Sequence, residues 1–201
     1  MVKMADGRYL MARKVDIQAF FDWHSIVGKT ITGIFPEDMD YGFSTMDDEE
    51  ELDYSKHIMT PCCIQTDGLI SVELDYGEQF EIAFSGQGPV ILNTVPESQA
   101  SNPAIPSNLF SLNMMFRNCL GKRVAEVSIE QHDQKMIFPC YCGIDMSAED
   151  EGVCGIRLVL EDESCLVFSG SCDWNQMELL NNRGESMYVP MSWLKPGGSE
   201  E

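Results

Sequence analysis

Ser85 in IAFSGQG and Ser169 in LVFSGSC each lie between a phenylalanine and a glycine, so the triplet Phe-Ser-Gly occurs twice in 201 residues. A serine becomes a nucleophile when a base stands within hydrogen-bond reach or a strained elbow presents its hydroxyl. Neither serine sits in a G-x-S-x-G pattern, and strand alternation turns each phenylalanine inward and each serine outward. Both triplets are therefore expected to be strand ends closed by a glycine turn or bulge. No catalytic residue is assigned, and the chain is expected not to be an enzyme.

Cysteine and histidine are the residues that could serve as metal ligands. The cysteines fall at 62, 63, 119, 140, 142, 154, 165 and 172. Structural zinc sites use two pairs of ligands, each pair separated by two to four residues. Only Cys140-x-Cys142 approaches a chelating pair, and on a strand that spacing puts both side chains on one face, which suits a core equally well. His24, His57 and His132 lie on separate segments. His24 falls near the end of a helical pattern, where the macrodipole would favour an imidazolium. No metal ligand and no cofactor-binding residue is assigned, and the thiols are expected to be reduced and buried in a cytoplasmic protein.

Charge narrows the partners. With 33 acidic against 13 basic side chains, the formal net charge is -20, a field that repels phosphate backbones and draws in basic proteins. Nucleic acid is excluded as a partner on this ground. No stretch approaches the roughly 20 apolar residues of a membrane span, and MVKMADGRYLMARK lacks the apolar core of a secretory signal.

The elements that would position any site show an internal repetition, and repeats are best sought before single elements are assigned. In 16–34, Asp16 suits an N-cap, Ile17, Phe20, Phe21 and Val27 fall at helical spacing, and Gly28 suits a helix stop. In 107–129, Ser107, then Leu109, Leu112, Phe116 and Leu120, then Gly121 follow the same plan. Gly28-Lys29 aligns with Gly121-Lys122, and Pro61-Cys62 with Pro139-Cys140. Ile70, Val72 and Leu74, then Phe80, Ile82 and Phe84, alternate around Asp75-Tyr76-Gly77; Ile156, Leu158 and Leu160, then Leu166 and Phe168, alternate around Glu161-Asp162-Glu163. Each pattern is a hairpin with one buried face. Val-Pro at 95–96 and 189–190 closes each unit.

The expected fold is α+β: two tandem repeats, 16–96 and 107–190, each a helix followed by an antiparallel β-meander. A linker, 97–106, joins them, and they pack with pseudo-two-fold symmetry as one fused globular domain. The expected assembly is a monomer with this internal pseudo-dimer, or a weak homodimer.

Function is sought where the repeats differ. The first inserts PEDMDYGFSTMDDEEELDYSK (36–56), in which nine acids precede the only base, Lys56. The second carries a longer tail, SCDWNQMELLNNRGESMY (171–188). The candidate partner-binding residues are Asp47, Asp48, Glu49, Glu50 and Glu51 in the insertion, and Asp173, Trp174 and Asn175 in the tail. Acids would steer the encounter and a buried aromatic would supply affinity. The expected function is an acidic protein-binding module that blocks a basic partner, with the charge profile of an immunity protein facing a toxin. The alternative is a small-molecule-binding or enzymatic α+β protein with a site between the repeats.

Overall fold

A computed structural model describes residues 2–3, 8–11, 13–36, 59–66, 68–84, 90–95, 115–131, 153–170 and 175–190. In chain order the elements are β1 (Val2–Lys3), β2 (Tyr9–Met11), α1 (Lys14–Trp23), β3 (Ile31–Pro36), β4 (Met59–Pro61), β5 (Cys63–Thr66), β6 (Ile70–Leu74), β7 (Gln79–Phe84) and β8 (Val90–Val95). They continue with β9 (Val124–Gln131), β10 (Val153–Leu160), β11 (Cys165–Gly170), β12 (Asn175–Leu180) and β13 (Tyr188–Pro190). The class is α+β. A six-stranded antiparallel sheet has the order β1-β2-β8-β7-β6-β3, a five-stranded antiparallel sheet the order β5-β12-β11-β10-β9, and β13 pairs with β4 in a short ribbon.

α1 forms where the pattern places it, with Ile17, Phe20 and Phe21 buried on one face. It begins three residues earlier than expected. Arg13 is the N-cap, and Asp16 lies in the first turn, where its carboxylate accepts two hydrogen bonds from the Arg13 guanidinium at 2.9 and 3.1 Å. That guanidinium holds the Asp16 carboxyl below its ordinary pKa. The helix also ends early: His24 is the C-cap and Ser25, at φ 50°, reverses the chain. Val27 consequently leaves the apolar face and is 50% exposed, while Ile26 turns into the core.

The two expected hairpins form. β6 and β7 pair through Ile70↔Ile82 and Val72↔Phe80, and β10 and β11 through Ile156↔Phe168 and Leu158↔Leu166. Every alternating residue named for them is buried, because a pleated strand with one apolar face must cover that face.

Two helix-plus-meander repeats are not supported. α1 is the one α-helix assigned among the described residues; the second expected helix falls mostly on 107–114, outside them, with Met115 helical and Phe116–Gly121 in turns. Nor does each meander keep its own strands. β5, from the first stretch, is the edge of the second sheet, pairing with β12 through Asn175↔Thr66 and Gln176↔Gln65. The Val-Pro pairs are not equivalent either: Val95 ends β8 beside β7, whereas Val189 lies in β13 beside β4.

The aligned Gly-Lys pairs meet. Gly28 N donates to Val124 O and Gly121 N to Ile31 O, both at 2.8 Å; Ile31 N donates to Lys122 O at 3.0 Å and Val124 N to Lys29 O at 2.8 Å. Asp75 N donates to Thr30 O and Glu161 N to Arg123 O, both at 2.9 Å. Each bond in one segment thus has its reciprocal in the other. Gly28 and Gly121 make this possible with φ of 95° and 80°, a conformation most other residues adopt only at a cost.

The Phe-Ser-Gly triplets, by contrast, are out of step. Leu74 N→Glu78 O and Leu160 N→Ser164 O close the two hairpin turns. Phe84 and Gly170 each stand six residues beyond those acceptors, so the first triplet's phenylalanine is level with the second triplet's glycine. A Cβ placed on Gly170 would overlap Phe84 Cβ and come within 2.7 Å of Phe84 Cγ. The phenylalanine occupies the space that the glycine leaves open.

A single core joins the sheets and α1. At its centre Phe80 meets Phe21 of α1 edge-on at 5.8 Å and Phe168 of the second sheet at 6.5 Å.

Candidate functional site

Asp47 to Glu51, Asp173 and Trp174 lie outside the described residues, as do Ser85, Cys140, Cys142, Cys172, His57 and His132. Asn175 is described, and it faces inward. It is 5% exposed; its Oδ1 accepts from Phe84 N and its Nδ2 donates to Gly68 O at 3.0 Å. The amide therefore ties β7 and the start of β6 to β12. Asn175 stands directly opposite Gly170, so the same pair of positions receives both the side chain and the backbone of Phe84. Asn175 thus roots β12 on the core.

Three of the described thiols, Cys62, Cys63 and Cys119, hold their protons more tightly than an ordinary thiol. Burial pushes Cys62 up to about 11 and Cys119, which also donates to Phe116 O at 3.0 Å, up to about 12. Cys63 is raised to about 11 by burial and then by the Glu178 carboxylate. A thiol must lose its proton to attack or to ligate, and these hold theirs at neutral pH. Among the described residues no group of three or more His, Cys, Asp or Glu converges on one point.

Four of the described basic side chains pair with acids of the chain itself. Lys29 pairs with Glu78 and donates to His24 O at 2.9 Å. Lys122 pairs with Asp162, which also accepts from Ser164 Oγ at 2.6 Å. Arg157 pairs with Glu130 at 2.6 Å and Arg13 with Asp16. Each of these cations neutralises a neighbouring acid, and the surplus acids set the field.

His24 does not behave as the macrodipole argument suggests. Partial burial, against Phe20 at a ring distance of 4.6 Å, and then the Lys29 cation lower its pKa below 6.5, outweighing the opposing Glu78 carboxylate. A histidine whose folded pKa is depressed takes up its proton more readily when unfolded. Stability is therefore full above pH 6.5 and falls as pH drops through the folded value. The thermal midpoint is expected to decline over that window in the wild type and to decline less in His24→Gln; equal slopes in the two proteins would refute this assignment.

No family model, curated protein or solved structure matches the chain.

One surface feature is not legible in the sequence. On the β4–β13 ribbon, Met59 and Tyr188 are 51% and 54% exposed. The signal was the short alternation Met59-Thr60-Pro61 and Tyr188-Val189-Pro190, too brief to stand out from its surroundings. No helix among the described residues is long and apolar enough to cross a membrane.

Proposed function

We propose that this chain is a cytoplasmic acidic protein-binding module that blocks a basic partner, as an immunity protein blocks a toxin. The observation that carries this reading is the net charge of -20, concentrated in an insertion with nine acids ahead of its single base. Such a field raises the encounter rate with a basic surface and weakens with salt. Asp47, Asp48, Glu49, Glu50 and Glu51 would steer the partner. Trp174, between Asp173 and Asn175 in the sequence, would supply an aromatic contact of the kind that dominates interface energies.

The same reading takes the scaffold as a duplicated β-meander packed about a pseudo-two-fold axis. The reciprocal bonds of 28–31 with 121–124 support it, as does the meeting of the level positions Phe84 and Gly170. The alternative of a ligand site between the units gains nothing where the sheets meet, since Phe80, Phe168 and Phe84 fill that contact.

Affinity capture from the native cell at low and moderate salt tests the function. A basic protein retained at low salt, weakened at moderate salt and lost when residues 47–51 are changed to lysine is the expected result. A charge-reversed variant that keeps every partner of the wild type would refute it.

A further inference from the structure

The β4–β13 ribbon presents its apolar side chains outward. Residues paired across an antiparallel ladder share a face, and the register is Tyr188↔Pro61, Val189↔Thr60 and Pro190↔Met59. Met59, Pro61, Tyr188 and Pro190 therefore form one face, and Val189 lies on the other, fully buried. The inner face is held by main-chain bonds around Cys62, whose N donates to Met187 O at 2.8 Å and whose O accepts from Leu179 N at 2.9 Å. A core-anchored ribbon thus carries a thioether, a phenol and two pyrrolidines on its free side.

Three features decide what would cover it. Pro61 and Pro190 offer no N–H, which disfavours extension of the ribbon by an added strand and favours docking through side chains. A second copy of this chain would bring another net charge of -20 against the first, and like charges repel. The acidic insertion runs directly into β4, with Asp53 six residues before Met59, within about 20 Å at full extension. Tyrosine and methionine are enriched in interface cores, and a tyrosine ring also receives lysine or arginine on its face.

We propose that the outer face of the β4–β13 ribbon, formed by Met59, Pro61, Tyr188 and Pro190, is the apolar anchor on which a net-basic protein docks. This rests on the acidic-module reading above and adds the place where the partner is held after the acids have steered it.

The test uses the full chain with a photo-crosslinking amino acid at position 188 and, as a control, at Tyr76, which is 84% exposed elsewhere. The adduct is identified by mass spectrometry, and the captured protein is then purified and titrated against variants. The expected result is a net-basic protein crosslinked from 188 and not from 76. Its Kd should rise about tenfold or more in Tyr188→Ser and Met59→Ser, as for interface anchors, with the thermal midpoint unchanged. Adducts from both positions alike, an adduct with a second copy of this chain, or an acidic protein would overturn the proposal, and so would a Kd unmoved by both serine variants. The charge-reversed insertion separates the two readings. If it abolishes binding while the serine variants do not, the acidic module stands and the anchor falls; if it leaves binding intact, the module reading falls with it.

Discussion

Phe80→Ala is expected to cost about 3–5 kcal/mol of folding stability, the range for emptying a large aromatic site in a core. The ring is fully buried and is the contact shared by α1, through Phe21, and by the second sheet, through Phe168. Its removal takes away apolar burial and two edge-on aromatic contacts, each of which adds about 0.5–1.5 kcal/mol beyond the area covered. A domain of this kind has about 5–15 kcal/mol in total, so the variant should unfold at a much lower urea concentration. A loss below about 1 kcal/mol would mean that the core collapses around the gap and that Phe80 does not join the layers.

Gly170→Ala should be nearly as harmful, although it adds only one methyl. The new Cβ would clash with Phe84 Cβ, an atom attached directly to the backbone. Phe84 has little freedom to retreat, because its N–H is held by Asn175 Oδ1 and its strand pairs with β8 at Val90. Overpacking of this sort costs about 1–3 kcal/mol, and the backbone-attached partner places this case at the upper end. If the overlap is the cause, Phe84→Gly combined with Gly170→Ala must cost less than the two single changes added together, since contacting sites are not additive. Strict additivity in urea denaturation would show that the two positions do not compete for one space.

That competition explains why the repeated triplet is easily misread. Phe-Ser-Gly recurs because two strands end in similar residues, yet the ladders place Phe84 level with Gly170 and Phe168 level with Ile82. Two bulky residues cannot share a position at which equivalent points meet. One side supplies the ring and the other supplies glycine, so the match of letters and the match of places differ by two residues. The Gly28-Lys29 and Gly121-Lys122 pairs behave in the opposite way: there the alignment of letters coincides with reciprocal hydrogen bonds, because positive φ is a local requirement that glycine announces in any sequence.

The candidate site divides along similar lines. The acidic character of 36–56 was plain from composition. Asn175, read from the sequence as a partner-binding residue of the longer tail, is instead buried, because β12 begins at that residue and its amide satisfies Phe84 N and Gly68 O. His24 was legible as a helix-end residue, but its proton affinity depends on Phe20 and Lys29 packing against it, and no pattern along the chain reports that.

What the sequence by itself determined is local: the position of α1 to within a few residues, the two hairpins and their buried faces, the glycines that reverse the chain, and the charge. Each follows from periodicity, from backbone sterics or from a sum over side chains. Only the tertiary structure decided that β5 leaves the first stretch to edge the second sheet, that Phe84 lies over Gly170, and that the β4–β13 ribbon turns Tyr188 and Met59 outward. These depend on which strand edges and which volumes meet across more than eighty residues, and such pairings are chosen by packing of the whole core rather than by any neighbouring letters.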